Sequence, residues 1–504
     1  MTKTIGTMPN GIAAHWFAIA SEARLSGRIA DAVHAFQQAL TAAPLFADGW
    51  FDFGQLLRRC GQPKPALEAF HRSLELGLQA PEEAMLEIAL VHSELLLDDD
   101  AAESALRKAI AQKSDYIPAL INLGNLAEDF GRREEAESLY RAARQHTTPN
   151  TELALTALAR LLEVAPERFA DEALDAIRET LAASEASPER ANLGFALGRH
   201  LERKGDIAGA FQTFIDANRD AMSGHPPYDS DKALSTQQAI INALTQSKTT
   251  PLVKEMPSYP APSLFLVGLF RSGSTLLEQM LAAHPAIDTI GESSFIPRIA
   301  ARLGLADMLD LDAERTVMIA GAYRKHIERM GHPTHAKTAW IIDKRPDNIE
   351  RLPLLRRLCP TSRIIVTRRE PHDNGLSVFQ HHLDLRHAPY AGDLSSIGHH
   401  IVLHQELVTA ASGVLGDALR IVDYEALVAE PEAVLRPLLA WLGLDWAPEC
   451  LEFHRRPTAV RTASVWQVRE PLHARACGRW HAYAEHLQPL ITALRQPSAG
   501  IPKD

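Results

Sequence analysis

The sequence predicts an N-terminal all-α solenoid followed by an α/β domain built on a parallel sheet. In the first half of the chain, a pattern of small and aromatic residues recurs about every 34 residues, which is typical of stacked helical hairpins. In the second half, short apolar runs alternate with helical patterns, which is typical of a parallel α/β sheet. The predicted divisions are a tail, a repeat array, a linker, the α/β domain and a second tail, at 1–12, 13–220, 221–262, 263–495 and 496–504.

The composition is that of an ordinary globular protein. Hydrophobic residues make up 46% of the 504 residues and charged residues 23%, and the formal charge of -11 disfavours general nucleic-acid binding. The four cysteines lie far apart, so neither a disulfide framework nor a zinc site is expected, and reduced thiols fit a cytoplasmic location. No apolar run is long enough for a membrane span or an export signal.

The N-terminal repeats share small residues at fixed positions, and four of the five also have a glycine at a turn and an aromatic residue in the helix that follows. The pattern appears in five segments: 27–44, 61–73, 102–109, 123–143 and 197–217. It resembles the tetratricopeptide repeat family, and Trp16 and Trp50 stand where that family often has tryptophan. The resemblance implies a concave surface that binds a protein or peptide. A plain helical spacer remains the alternative.

Four strands are predicted in the α/β domain, at 264–267, 340–342, 363–366 and 419–422. Helices are expected at 274–283, 348–358, 373–384, 398–416 and 431–442. Polar residues follow each strand, including Arg271, Lys344, Arg369 and Tyr424. Because parallel α/β sheets bind ligands at the carboxyl ends of their strands, these residues are candidates for one site.

The first strand leads into a loop that is similar to a Walker A phosphate-binding loop. Gly268 and Gly273 keep the spacing of that motif, but Ser274 replaces the lysine that reaches the β- and γ-phosphates of a nucleoside triphosphate. Arg271 supplies a cation upstream instead. The loop is therefore predicted to bind an anion other than ATP or GTP, through Arg271, Ser272, Gly273, Ser274 and Thr275.

This loop resembles the 5′-phosphosulfate loop of sulfotransferases, close to that of tyrosylprotein sulfotransferases and their bacterial relatives. Phe270 and Ser274 depart from the common form, which has proline and threonine there. A second segment, Arg369-Glu-Pro-His-Asp-Asn-Gly-Leu-Ser377, matches the one with which that family holds a 3′-phosphate. The resemblance covers about 263–490. It implies 3′-phosphoadenosine 5′-phosphosulfate as donor, 3′,5′-adenosine bisphosphate as product, and no metal.

The resemblance also implies catalytic residues. Glu292 corresponds to the glutamate that serves as base, and Lys344 to a catalytic lysine that acts with Arg271 on the sulfuryl and leaving phosphate groups. Glu292 departs from the pattern in being followed by serine rather than by glutamate and arginine. Arg345 competes with Lys344 for its role, and the pair His381-His382 is an alternative source of the base.

A segment after the last predicted helix of the domain matches the part of the family fold that closes over the nucleotide. Ser464, Gln467 and Arg479 are its candidate ligands, and Tyr424 is a further candidate at the end of the fourth strand. Arg461 and Arg469 fit the same role. The assignments of Ser464, Gln467 and Arg479 rest on their position after the last helix.

The sequence thus predicts a cytoplasmic, bacterial-type sulfotransferase that transfers a sulfuryl group to an acceptor hydroxyl, with a peptide tyrosine as one candidate. A carbohydrate, lipid or small-molecule hydroxyl remains an alternative acceptor. Two other functions stay open: a P-loop kinase or nucleotide phosphotransferase, and a non-enzymatic repeat adaptor with a vestigial transferase domain.

Overall fold

The structure, a computed structural model, describes residues 11–169, 171–246, 263–330, 338–456, 458–462 and 465–496. The chain divides into two compact units. The first contains residues up to 157 except 129–131, and the second contains 129–131 and everything from 158 onward. The domain boundaries given by the sequence remain predictions. A helix covers Ser230–Gln246 within the predicted linker, and the rest of that linker, 247–262, lies outside the described residues.

The first unit is entirely helical in its described part, which confirms the all-α prediction. Its α-helices are α1 Ile12–Leu25, α2 Ile29–Ala42, α3 Ala47–Arg59, α4 Pro63–Glu75, α5 Pro81–Leu90, α6 Asp99–Gln112, α7 Ile117–Asp129, α8 Arg133–His146 and α9 Glu152–Val164, the last of which contains the division between the units. A π-helical turn, Val91–Leu96, follows α5. Helices α1 and α2, α3 and α4, and α5 and α6 pack as successive hairpins.

The repeated glycine and aromatic residues of these hairpins are in contact with each other. In three hairpins a helix glycine faces the ring of the residue 16 positions later, and a Cβ at the glycine would lie 2.4 to 2.6 Å from a ring carbon. The pairs are Gly54 with Phe70, Gly124 with Tyr140, and Gly198 with Phe214. Only glycine lets the two helices approach this closely without moving the ring.

Replacing one of these glycines should therefore destabilise its unit, although alanine favours helix more than glycine. In Gly124→Ala the new methyl would strike the Tyr140 ring, whose hydroxyl is fixed by hydrogen bonds to Glu128 (2.6 Å) and Asn125 (2.8 Å). We expect a loss of about 1–3 kcal/mol, measured as a lower melting temperature in calorimetry. Gly321→Ala is the matched control, because nothing lies within 4 Å of its Cβ position. That change should stabilise by up to about 1 kcal/mol, and equal melting of the two variants would contradict the packing argument.

In the described part of the second unit, four further helices precede the sheet and nine follow its first strand. They are α10 Asp171–Ala183, α11 Pro188–Arg203, α12 Ile207–Met222, α13 Ser230–Gln246, α14 Ser274–Ala282, α15 Phe295–Leu309, α16 Ala313–Met330, α17 Leu352–Leu358, α18 Pro371–Phe379, α19 Leu394–Leu415, α20 Tyr424–Ala429, α21 Pro431–Trp441 and α22 Gln488–Arg495. The strands are β1 Ser263–Gly268, β2 Ile287–Thr289, β3 Trp340–Lys344, β4 Arg363–Arg368 and β5 Leu419–Asp423.

The five strands form one parallel sheet in the order β2-β3-β1-β4-β5, as the sequence predicted for the fold class. Side chains alternate between the two faces of β1. Phe265 and Val267 pack into a core with α13, α16 and α19, whereas Leu264 and Leu266 pack against α14 and α21. Helical layers on both faces explain why the strands are continuous apolar runs. The carboxyl ends of β1, β3 and β4 consequently meet at one edge.

Some elements differ from the sequence prediction. Strand β2 was not predicted, because three residues that include Asp288 show no strand period. The helix expected at 348–358 begins as a 3-10 turn, Pro346–Arg351, before α17. Helix α18 ends at Phe379, earlier than expected. Within the described ranges, every helix is too short or too polar to cross a membrane.

Candidate active site

A cavity of about 690 Å³ lies in the second unit at the ends of β1, β4 and β5. Ten of the residues predicted for the site line it: Arg271, Gly273, Ser274, Thr275, Glu292, Arg369, Ser377, Tyr424, Gln467 and Arg479. They come from segments up to 208 residues apart in the chain, counting from Arg271 to Arg479. The fold therefore brings these side chains into one cavity. The sequence could indicate a common site only because the residues follow strand ends and belong to two motifs.

The loop after β1 depends on two glycines. Gly268 has φ 149°, and a Cβ there would lie 2.6 Å from the Thr367 carbonyl oxygen of the neighbouring strand. Gly273 has φ 94° immediately before α14, and a Cβ there would meet the Tyr424 ring at 2.5 Å. The tight turn exposes the first N–H groups of α14, which have no partner within the helix and which favour an anion.

Arg271 stands at the tip of this loop in the left-handed conformation, with φ 65°. Its Nε donates a hydrogen bond to Ser377 Oγ (3.2 Å), and its Nη2 donates to Gln467 Oε1 (3.4 Å). Burial and the nearby guanidinium groups of Arg369 and Arg199 lower the pKa of Arg271 to about 9. A backbone strain of this kind, combined with gathered positive charge, is typical of a binding site.

Arg369 connects the loop to the closing segment of the domain. Its Nη1 donates to the Arg271 carbonyl oxygen (3.2 Å), its Nη2 donates to the Ala476 carbonyl oxygen (2.5 Å), and its guanidinium lies 4.9 Å from the centre of the Tyr424 ring. Nε of Arg369 is buried, and no described residue accepts from it. A buried guanidinium with a spare donor is suited to an anionic ligand.

Asp373, in the same motif as Arg369, fixes the closing segment from the other side. Its carboxylate accepts hydrogen bonds from the backbone N–H groups of Gly478 (2.5 Å) and Trp480 (2.9 Å). Trp480 in turn stacks on His372, with ring centres 4.5 Å apart. The Arg369–Ser377 motif therefore both lines the cavity and holds residues 476–480 against it.

Lys344 lies at the end of β3 with its side chain fully buried, and unlike Arg271 and Glu292 it does not line the cavity. Its ammonium group forms an ion pair with Glu292, whose side chain is 36% exposed, and lies 3.7 Å from the carboxylate of buried Glu278. Burial raises the pKa of Glu278, and the charge of Lys344 opposes that rise. Glu278 also accepts a hydrogen bond from Thr289 Oγ1 (2.6 Å). Lys344 thus connects a buried carboxylate with one that faces the cavity.

Other predicted residues occupy different positions. Ser272 is buried beneath the loop, where it donates to the Leu269 carbonyl oxygen (2.7 Å), and it does not line the cavity. Arg345 points away from Lys344 and forms an ion pair with Asp347 (2.9 Å). Ser464 lies outside the described residues.

The two candidate histidines occupy different positions. His381 lines the cavity, and its Nδ1 lies 2.7 Å from the Ser377 carbonyl oxygen, so that this nitrogen carries the proton. Burial and the arginines around it lower the pKa of His381 well below its usual range. His382 instead contacts Asn192 on α11 (2.7 Å) and stacks on Phe195. Only His381 is placed to face a ligand.

The arginines of the closing segment also occupy different positions. Arg479 lines the cavity, where it forms an ion pair with Glu202 and donates to Gln380 Oε1 (3.0 Å). Arg461 lines the cavity as well. Arg469 instead donates to the carbonyl oxygens of Arg456 (2.7 Å) and Thr458 (2.5 Å), which uses it to hold the backbone.

Sequence reasoning missed two components of this site. Glu278 could have been found, because a carboxylate within the apolar run of α14 requires a buried partner. Arg199 and Glu202 on α11 carry no local signal, since the pattern around them indicates only a repeat helix. Among the described residues, the lining has seven arginines and three glutamates, which makes the cavity suited to a multiply charged anion.

Comparison with known proteins finds similarity in the C-terminal part of the chain. Residues 262–448 match the profile described as "Sulfotransferase family". Protein-tyrosine sulfotransferase 1 of Danio rerio is 29% identical over 297 residues, covering 52% of this chain and 77% of that protein. The sulfotransferase domain of the Synechococcus PCC 7002 olefin synthase aligns with a TM-score of 0.34 and 23% identity, covering 46% of this chain and 91% of that domain.

A longer match extends beyond the sheet domain. An uncharacterized protein of Aquifex aeolicus (strain VF5) is 26% identical over 435 residues, which is 81% of this chain. The match spans 55% of the length of that relative, so that the chain corresponds to about half of it.

Proposed function

We propose that this chain, which joins a helical repeat region to a C-terminal domain of the sulfotransferase family, transfers the sulfuryl group of 3′-phosphoadenosine 5′-phosphosulfate to an acceptor hydroxyl. The family match over 262–448 supports the reaction class. The observation that carries the choice of donor is the convergence of Arg271, Arg369 and Ser377 in one cavity. A nucleotide with a 3′-phosphate as well as a 5′-phosphosulfate needs two anion sites, and the cavity offers both.

The two sites are distinguished by their position. The N–H groups at the start of α14, together with Ser274 and Thr275, are assigned to the 5′-phosphosulfate. Arg369 and Ser377 are assigned to the 3′-phosphate, and the spare Nε donor of Arg369 fits that task. Arg271 is assigned to the region between the two groups, and its Nε donates a hydrogen bond to Ser377 Oγ. The closing segment supplies Gln467 and Arg479.

In the transfer, the acceptor oxygen forms a bond to sulfur while the bond from sulfur to the 5′-phosphate oxygen breaks. The acceptor's proton passes to a base, and 3′,5′-adenosine bisphosphate leaves with the electron pair of the broken bond. Arg271 and Lys344 stabilise the negative charge on the sulfuryl oxygens and on the leaving phosphate. Glu292 takes the proton, because among the cavity's glutamates it is the one that is paired with Lys344.

Steady-state kinetics can test whether Glu292 is the base. We expect Glu292→Gln to lower kcat by about 100-fold with little change in the KM of the donor, because the amide cannot accept the proton. His381 is the rival base, and its neutral state at pH 7 would permit the role. Steady-state kinetics of Glu292→Gln and His381→Ala with the same acceptor separate the two. A larger kcat loss in His381→Ala would transfer the assignment to the histidine.

The acceptor that we propose first is a tyrosine hydroxyl in a peptide. Two relatives of the C-terminal domain are protein-tyrosine sulfotransferases, and the helical repeats provide a surface of the kind that binds peptides. The test is incubation of the purified chain and sulfur-labelled donor with a lysate, followed by identification of the labelled product. Label on peptide tyrosine supports the proposal. Label on carbohydrate, lipid or a small molecule would replace the acceptor, and donor binding without transfer to any acceptor would contradict the enzymatic function.

A further inference from the structure

Helix α11 forms part of the cavity wall, although it belongs to a helical hairpin and not to the sheet layers. Arg199, Glu202 and Arg203, all in its last two turns, line the cavity together with the loop after β1. The hairpin of α11 and α12 contains the same close contact of glycine with an aromatic ring that marks the N-terminal repeats, here Gly198 with Phe214. A repeat-like element thus supplies side chains to the candidate donor site.

Arg199 is a basic residue of α11 that hydrogen-bonds to the chain just after the predicted 3′-phosphate segment. Its Nη1 donates to the Gln380 carbonyl oxygen (2.8 Å), and its Nε (3.0 Å) and Nη2 both donate to Glu163. These bonds use three of the five N–H groups of the guanidinium. Two remain for a ligand in the cavity that Arg199 lines.

The end of α18 explains why an additional cation is needed there. Ser377 lies in the last turn of α18, where the carbonyl oxygens carry partial negative charge and oppose an anion. Three of these carbonyls accept polar hydrogens: Ser377 from His381 Nδ1 (2.7 Å), Phe379 from Asn218 Nδ2 (2.9 Å), and Gln380 from Arg199 (2.8 Å). Of the three donors only Arg199 carries a full charge, since the surroundings hold His381 neutral. Arg199 therefore offsets the partial negative charge of the helix end, and the Ser377 hydroxyl can donate a hydrogen bond to a phosphate oxygen.

The positive charge around the site supports the same conclusion. Arg199, Arg369 and Arg479 all depress the pKa of Arg271, so each of these three guanidinium groups lies close enough to Arg271 to repel its charge. The pair with Glu163 accounts for packing between α9 and α11, but it does not explain why the same group also bonds the end of α18 and lines the cavity. A ligand with several negative charges would relieve the repulsion.

We propose that Arg199 is a binding residue for the 3′-phosphate of the donor nucleotide, so that the α11–α12 hairpin is a functional wall of the donor site. The proposal rests on the proposed function, because it assumes a nucleotide with that phosphate. It predicts that Arg199 selects for 3′-phosphorylated nucleotides and contributes little to the binding of 5′-AMP, which lacks the group.

Calorimetric titration of the full chain with 3′,5′-adenosine bisphosphate and with 5′-AMP tests the proposal. We expect Arg199→Gln to weaken bisphosphate binding about tenfold or more and to change 5′-AMP binding less than about threefold. Arg199→Lys, which keeps a positive charge, should retain most of the preference and covers the case in which the glutamine variant folds poorly. Equal losses for both nucleotides, or no loss, would overturn the proposal.

A control on the same helix separates this role from a structural one. Arg190 also lies on α11 and forms an ion pair, with Asp220, but it does not line the cavity. Arg190→Gln should leave the preference for the bisphosphate unchanged, and a change as large as that of Arg199→Gln would contradict a direct role for Arg199. The wild-type titration is the separate test of the proposed function. If wild type does not bind the bisphosphate, the function itself fails; if only the variant comparison fails, the function stands and the role of Arg199 falls.

Discussion

Arg271→Gly should reduce sulfuryl transfer by about 1,000-fold while leaving the protein folded and at least as stable as the wild type. The loss follows because the change removes the guanidinium that is assigned between the two proposed anion sites. The retained stability follows from the backbone, since φ 65° costs little for glycine but strains arginine. Removing one of several mutually repelling charges stabilises the fold further.

The measurement pairs transfer rates with melting temperature for the same preparations. Asn150→Gly is the matched control, because Asn150 also has a left-handed backbone (φ 62°), belongs to the first unit and does not line the cavity. Its activity should equal that of the wild type. If Arg271→Gly kept near wild-type turnover, Arg271 would have no place in the site; if it melted well below wild type, the explanation of the loop by strain and repulsion would be wrong.

Lys344→Met should lower both turnover and stability. Turnover should fall about 1,000-fold, because the change removes a cation assigned to the leaving group and frees Glu292 from its ion pair. Stability should fall by about 3 kcal/mol, because Glu278 would remain buried without the charge that opposes its raised pKa. Methionine fills a similar volume, so that packing is largely kept.

The loss of stability in Lys344→Met should depend on pH in a defined direction. A carboxyl group whose folded pKa is raised takes up its proton in the fold, so its unfavourable effect is small at low pH and grows as pH rises through the folded pKa. Thermal melting should therefore show a larger deficit at pH 8 than at pH 5. Glu278→Gln in the same variant should recover stability without recovering turnover. If the loss of stability does not change with pH, the carboxylate of Glu278 is not its cause.

The neighbouring residue provides a control for the assignment of the lysine. Arg345→Gln removes the pair with Asp347, which lies outside the cavity lining, so it should affect stability more than turnover. A turnover loss equal to that of Lys344→Met would support the rival assignment to Arg345.

Much of this arrangement could be predicted from the sequence because the signals are local. A buried apolar run followed by Gly268 and Gly273 predicts β1, the loop and α14, and period-34 repeats predict the helical hairpins. Parallel strands then place the residues after β1 and β4 at one edge. Each of these inferences needs only a short stretch of chain and a general rule of packing.

The parts that could not be predicted depend on distant contacts. Nothing around Arg199 links a repeat helix to Gln380, which lies 181 residues later. The pair of Lys344 with Glu292 joins β3 to a loop 52 residues before it, and the depth of Ser272 beneath the loop depends on Leu269 and Thr367. Such contacts are set by tertiary packing, which a motif does not encode.

The central claim is that the cavity binds a nucleotide that carries a 3′-phosphate. Calorimetric titration of the full chain with 3′,5′-adenosine bisphosphate and with ATP, under the same salt conditions, tests it most directly. We expect the bisphosphate to bind about 100-fold more tightly, because Ser274 replaces the lysine that ATP requires while Arg369 and Ser377 lie ready for the 3′-phosphate. Tighter binding of ATP would contradict the claim and would favour the alternative function, a P-loop kinase or nucleotide phosphotransferase.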